Sequence, residues 1–291
     1  MELRQLEHVL AVARHGTFTA AAAALPMAQS ALSTSVRNLE AELGVALFER
    51  TTRRVELTAA GRVFLPAAGR LVADAGAARE AVAAMAGLSS GRVAIGTLEM
   101  LTSVDLPARL AAFRRAHPGI ELSVLGLATY PELLERLLAG ELDLSFLPLD
   151  GAPPVGVSVL AEWRENLVLV AAEDHPLARF DTVRLADLDG ATFVDFGAST
   201  TLHGAVQRLV AASGIRRRIA GQVSQRSMLL DLVRAGLGVS VVPRPVAERS
   251  GLAIVAIVNP VPYWTIVLAT RTPRPVNPAA AALAESLLAA G

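Results

Sequence analysis

The chain contains no cysteine and, among its 27 basic residues, no lysine. The first absence rules out disulfides and thiolate-bound metals, and it suits a reducing cytoplasm. The second means that every cationic contact apart from histidine is made by a planar, multi-donor guanidinium. With abundant alanine, glycine and proline, it also suggests a GC-rich bacterial genome. Net charge is missing too, because 27 acidic residues balance the arginines. No global field therefore draws the protein to nucleic acid or to a membrane. Apolar residues make up 53% of the chain, yet no stretch reaches the roughly 18 consecutive apolar residues of a membrane span. MELRQLEHVL opens with charges and helical spacing, not with a secretory signal. The five histidines are scattered, with no pair at metal-ligand spacing, so neither a metal nor another cofactor is expected.

At 291 residues the chain is long enough for two or three domains. Leu3, Leu6, Val9, Leu10 and Ala13 predict a first amphipathic helix that stops at His15-Gly16. Phe18 to Glu40 then reads as two short helices around a tight turn. Thr19 is the expected cap of the first, with Phe18 as its hydrophobic anchor. Leu25-Pro26-Met27 breaks it, since proline lacks the amide proton a helix needs. On the second helix Leu32, Val36, Leu39 and Leu43 repeat at the spacing of a core-facing stripe. Ser30, Ser33, Thr34 and Arg37 share another side, small and polar with one arginine. Such a helix can lie in a major groove and offer hydrogen bonds to bases and phosphates. It can equally be a surface helix packed on its neighbours.

Gly44 ends that helix, and ALFERTTRRVELT fits a small β-hairpin, with Arg50, Arg53 and Arg54 on or beside its turn. Arginines so placed reach the DNA backbone or minor groove next to a recognition helix. In residues 1 to 57 six arginines meet six glutamates, so non-specific attraction to DNA is modest and binding calls for several copies acting together. The motifs LRQL, GTFTAAA, AQSALS, NLEAELGVALFER and LTAAG follow one another over about sixty residues. In order and spacing they resemble the N-terminal domain of the LysR-type transcriptional regulators. The resemblance implies DNA contacts from Gln29, Ser30, Ser33, Thr34 and Arg37, and from Arg53 and Arg54 in the wing. The sequence departs from the family's pattern where Ala28 replaces a frequent serine and Thr34 a frequent arginine.

Thr58 can cap a long helix running to about residue 86. Phe64, Ala68, Leu71, Ala75, Ala78, Val82 and Met85 form a heptad seam, with small alanines that let two copies approach closely. Pro66 predicts a kink, and Gly87 to Gly91 a flexible hinge. The resemblance agrees, because members of the family dimerise through this helix.

From Arg92 strands and helices alternate, first in RVAIGT, IELSVLG and ELDLSFLPL, then in a second unit opened by NLVLVAA. YWTIVLAT is a late strand that could cross back to the first unit, followed by a closing helix from Pro278. Two α/β lobes of this kind leave a cleft for a small molecule. LLAGELDLSFL, DHPLA and LVRAGLGVSVVP resemble the family's regulatory domain, which implies the fold of type 2 periplasmic binding proteins. Thr102, Ser103, Thr129, Ser199, Thr200 and Thr201 precede predicted helices, where hydroxyls and free amides suit an effector carboxylate or simply cap the helix. Met100, Phe196 and Arg226 fall where the resemblance places the cleft lining.

The expected organisation is a winged helix-turn-helix over 1–58, a linker helix and hinge over 59–90, and an α/β effector-binding domain over 91–291. Its lobes are 91–160 with about 263–291, and 161–262. The expected function is a cytoplasmic, effector-responsive transcription factor. Its partners are operator DNA, a small molecule with a carboxylate, RNA polymerase and further copies of itself as a dimer of dimers, with no membrane. Two other classes stand beside it. One is a two-lobed binding protein without a DNA role; the other is an enzyme using Ser199, His203 and Asp195, for which no oxyanion loop is evident.

Overall fold

The computed structural model describes residues 1–50, 55–84, 91–126, 129–198 and 200–289. The head comprises α1 (Leu3–His15), α2 (Phe18–Ala24), α3 (Gln29–Leu43), β1 (Phe48–Arg50) and β2 (Val55–Leu57). Its core gathers Leu6, Val9 and Val12 of α1, Phe18 and Ala21 of α2, and Leu32, Val36 and Leu39 of α3. The expected stripe on α3 is therefore buried, except Leu43, which sits in the last turn and is exposed. Gly16 closes α1 in the left-handed conformation, with φ at 69°, which an L side chain adopts only with strain. Thr17, not Thr19, caps α2; its Oγ1 accepts from the Ala20 amide at 3.1 Å. Ala28 begins α3 with no side-chain cap.

β1 and β2 pair antiparallel, Phe48 opposite Leu57. Glu40 of α3 holds the start of this wing by accepting from the amides of Leu47 at 2.8 Å and Phe48 at 3.2 Å. α4 (Ala59–Ala84) follows, running on through Pro66. Thr58 starts it, accepting from the Gly61 amide at 3.0 Å. A Cβ on Gly61 would lie 2.2 Å from the Leu47 carbonyl oxygen, so the wing and α4 meet at a point only glycine fits.

The expected seam along α4 needs correcting. Ala68 is wholly buried in the head's own core and so is not free to pair with another chain, while Phe64 is partly buried against that core. Leu71 is 47% exposed and Val82 71%, and Ala78 is also exposed. Met85 lies outside the described residues. α4 also meets the regulatory half: a Cβ on Gly69 would be 3.0 Å from the Ala139 carbonyl, and Asp74 is paired with Arg271.

The regulatory half contains β3 (Gly91–Gly96), α5 (Leu106–Ala116), β4 (Ile120–Leu125), α6 (Tyr130–Ala139), β5 (Leu144–Leu149) and β6 (Ser158–Ala171). Next come β7 (Thr182–Arg184), β8 (Thr192–Phe196), α7 (Thr201–Ser213), β9 (Arg218–Val223) and α8 (Arg226–Arg234). It ends with β10 (Ser240–Pro243), α9 (Arg244–Glu248), β11 (Ala253–Val258), β12 (Tyr263–Thr270) and α10 (Pro278–Leu288). The sheet order is β4-β3-β5-β12-β6-β11-β7, with β10 also on β6. β4, β3 and β5 are parallel, as expected of the first lobe. β12 returns to it as an antiparallel neighbour of β5.

β6 is longer than NLVLVAA suggested. Its first part lies along β12 as far as Asn166, and from Leu167 it pairs with β10 and then β11. The crossover strand thus stays in the first lobe past the expected division at 160/161. Charges at Glu162, Arg164 and Glu165 interrupt its apolar pattern, which hides this from periodicity. β11 was not expected at all. The second lobe keeps β8 and β9 as a parallel pair, joined to the start of β10 by a bridge from Phe193 to Val239. No described helix is long and apolar enough to cross a membrane.

Candidate DNA interface and effector cleft

Burying Leu32, Val36 and Leu39 turns the other side of α3 outward. Gln29, Ser30, Thr34 and Arg37 are exposed there, with Ser33 half-buried beside them. Arg37 is held along the helix: Nε donates to the Ser33 carbonyl at 3.3 Å and Nη2 to Thr34 Oγ1 at 3.2 Å. Thr34 thus orients the guanidinium of Arg37. Sequence spacing brought the two together but did not assign that support. On the inner flank His8 of α1 meets Ser35 Oγ through Nδ1 at 2.7 Å. Burial, and then the nearby Arg4, lower the His8 pKa below the ordinary 6.5, with Glu7 opposing. Arg53 and Arg54 lie outside the described residues.

In the regulatory half the expected effector residues fall into distinct groups. Met100 and Phe196 are buried members of the main core rather than open cleft lining. Thr129 caps α6, accepting from the Glu132 amide at 3.3 Å. Thr200 precedes α7 without capping it, because its hydroxyl donates to the Gly197 carbonyl at 2.9 Å. Thr201 is the first residue of that helix, and Ser199 lies outside the described residues.

Thr102 and Ser103 do not begin α5; Asp105 does, accepting from the Ala108 amide at 3.1 Å. Both hydroxyls instead donate to one carboxylate oxygen of Glu165 on β6, Thr102 at 2.7 Å. The other oxygen accepts from the indole Nε1 of Trp264 at 3.0 Å. Glu165 is only 6% exposed and faces Trp264 across the β6–β12 register. Arg226 has an exposed side chain, while its backbone amide donates to Glu99 Oε1 at 2.8 Å. Glu99 belongs to the turn after β3, so this bond runs from the first lobe to the start of α8 in the second. One place expected to receive an effector carboxylate, at Thr102 and Ser103, is thus occupied by the chain's own Glu165. Glu99, Glu165 and Trp264 are the residues sequence reading missed.

A cavity of about 330 Å³ lies elsewhere between the lobes, lined by Leu149, Leu209, Val261 and Trp264 among others. At its edge Arg208 of α7 pairs with Asp150 at 2.5 Å. None of the expected effector residues lines it. Of the residues considered for catalysis, Ser199 lies outside the described residues, and the other two are engaged elsewhere. Asp195 is paired with Arg217 at 2.8 Å, both 4% exposed, while His203 Nδ1 contacts the Phe196 carbonyl at 2.7 Å. Burial raises the Asp195 pKa, opposed by Arg217 and then His203. Its carboxylate orients the arginine, not the imidazole that a base would need oriented. Among the described residues no group of three or more histidine or acidic side chains could hold a metal ion.

Two family models match the chain. One, described as a bacterial regulatory helix-turn-helix protein of the lysR family, covers residues 3–62. The other, described as a LysR substrate binding domain, covers residues 86–291. The chain is similar to the HTH-type transcriptional regulator ShiR of Corynebacterium glutamicum (strain R), at 41% identity over 83% of this chain and 82% of that protein. It is 28% identical to the transcriptional dual regulator OxyR of Escherichia coli (strain K12), over 99% of this chain and 95% of that protein. Among solved structures, full-length CbnR with its target DNA matches with a TM-score of 0.65 and 30% identity, covering all of both chains. A full-length OxyR variant from Pseudomonas aeruginosa matches with a TM-score of 0.79 and 25% identity, covering 99% of this chain and 94% of that one.

Proposed function

The chain belongs to the LysR family of transcriptional regulators, and from that premise we propose how its DNA-reading head and effector-binding domain divide the work. The head, 1–58, reads operator DNA with Gln29, Ser30, Ser33, Thr34 and Arg37 in the major groove, flanked by Arg53 and Arg54 of the wing. The observation that carries this is the exposed polar row of α3 backed by the buried Leu32, Val36 and Leu39. CbnR, whose structure was solved with its target DNA, gives the same assignment support from a relative. A two-lobed binding protein without a DNA role leaves that row with nothing to do.

The linker, 59–90, pairs two copies through the face bearing Leu71, Ala78 and Val82, and pairs of dimers form the working assembly on DNA. RNA polymerase is the further partner of such a complex, and its place is the cytoplasm, where the operator lies. The effector binds between the lobes, against the loop carrying Thr102 and Ser103 and the starts of α6, α7 and α8. With no cysteine in the chain, a thiol-based response to oxidant is closed to it, so its signal is a bound molecule. No catalytic step is assigned.

Arg37→Ala is the test. Footprinting and fluorescence anisotropy on DNA from upstream of the gene and its neighbours should show binding weakened by about ten- to a hundredfold and discrimination between sites relaxed. Unchanged footprints would remove α3 from the reading role.

A further inference from the structure

The peptide groups of Leu47 are held from two sides. Its N–H, with that of Phe48, donates to Oε1 of Glu40 on α3, at 2.8 and 3.2 Å. Its carbonyl accepts from the Thr58 amide at 3.0 Å, where α4 begins. Thr58 Oγ1 adds a bond to the Ala46 carbonyl at 2.7 Å. Leu47 and Phe48 are buried in the head's core, which shelters these bonds from water. Gly61 of α4 lies so close that a Cβ there would meet the Leu47 carbonyl oxygen at 2.2 Å. One residue thus joins the reading helix to the linker helix. A carboxylate in the last turn of α3 is disfavoured by the helix dipole, and the two amide donors offset that cost.

Resting on the proposed reading by α3 and pairing along α4, we infer that Glu40 and Thr58 determine specificity: by clamping Leu47 they fix the angle between α3 and α4, and with it the half-site spacing that a paired protein accepts. Two linked heads meet their half-sites in register only if each reading helix leaves its linker at one angle. One base pair more or less between half-sites moves the second groove by about 3.4 Å and turns it by roughly 35°. A rigid joint rejects that displacement, whereas a loose one follows it. Both are positioning residues, acting through the backbone they hold.

Base readout and spacing separate the joint from the surface it carries. Loss of the clamp leaves Gln29, Ser30, Thr34 and Arg37 on the outer face of α3. Discrimination at single base pairs should therefore persist while discrimination between spacings falls. A role for Glu40 in stability alone predicts a different pattern: binding weakened in equal proportion on every duplex, with both ratios unchanged.

Footprinting of the full-length protein on DNA from upstream of the gene defines the protected half-sites. Duplexes with one base pair added or removed between them are then compared by fluorescence anisotropy. The unaltered protein should prefer the natural spacing. In Glu40→Ala the ratio of affinities for natural and altered spacing should fall by about fivefold or more, with sedimentation showing the same assembly. Glu40→Gln keeps an accepting oxygen for both amides and should recover most of the ratio. Glu40→Gln as relaxed as Glu40→Ala would overturn the clamp. Thr58→Ala removes the bond to Ala46 from the other side and should relax the spacing too. An unchanged spacing ratio in Glu40→Ala, or in Thr58→Ala should the first not fold, would overturn the joint while leaving the reading and pairing roles in place. An unaltered protein indifferent to spacing would instead overturn the pairing along α4, and the inference with it.

Discussion

The outer face of α3 and the first-lobe wall of the cleft both consist of short polar side chains, but they use them in opposite ways. On α3 the exposed Gln29, Ser30 and Thr34 face outward, and Arg37 is steadied by its own helix. In the cleft the hydroxyls of Thr102 and Ser103 are tied to Glu165, and the amide of Arg226 to Glu99. A duplex presents donors, acceptors and phosphates along its groove, so a reading face gains from side chains that keep both roles open. A small molecule is enclosed on several sides, and selection there depends on polar groups whose roles are set beforehand. On the proposed roles, the same residue types serve breadth in one place and restriction in the other.

The strongest challenge to the α3 half of this contrast is to take away its twin. The head carries no excess positive charge, so one copy has little general attraction to DNA, and two linked copies gain by effective concentration. Leu71→Glu with Ala78→Glu places like charges on the exposed face of α4 without touching the buried Ala68 or Gly69. Sedimentation should show a smaller assembly, and operator affinity should fall by about a hundredfold or more. An intact assembly would move the pairing surface away from this face.

A smaller change separates the reading groups from their support. Thr34→Ala removes the hydroxyl that accepts from Arg37 Nη2 at 3.2 Å while leaving the arginine in place. One exposed, solvent-competed hydrogen bond contributes on the order of 1 kcal/mol or less, so operator affinity should drop by about two- to fivefold. If Thr34 itself reads a base, the loss will instead be concentrated at one base pair. A panel of single-base operator variants distinguishes these outcomes.

The contrast also marks what could be read in the chain beforehand. α3 was legible because its pattern is local: Leu32, Val36 and Leu39 share a stripe through helical spacing alone, and burying them turns Ser30, Thr34 and Arg37 outward. The cap of α2 was misplaced by two residues because Thr17 and Thr19 offer the same chemistry. Ala68 was assigned to the wrong surface for a related reason. A heptad marks which residues share a face, but not whether that face meets another chain or the head's own core. The cleft wall was not legible. Glu165 lies 63 positions from Thr102, and Glu99 lies 127 positions from Arg226. Their meeting depends on β6 crossing between the lobes, and β6 itself was read short because its charges break the apolar pattern.

The frame behind α3 should respond to pH while its outer face does not. His8 is buried against Ser35, and burial with nearby Arg4 lowers its pKa below 6.5. Below that value the unfolded chain takes up a proton that the folded head resists, so protonation favours unfolding. The contribution of neutral His8 is therefore whole above pH 6.5 and is lost as pH falls through the lowered folded value. Hydrogen exchange of the α1 and α3 amides should accelerate modestly between pH 7.5 and pH 5.5, after correction for the intrinsic rate. His8→Gln, which retains hydrogen-bonding capacity towards Ser35 but does not titrate, should flatten that dependence. Arg4 and Glu7 remain in both proteins, so the difference between them isolates the histidine. An equal pH response in the two would mean that His8 sits in the head without coupling its protonation to the packing of α3.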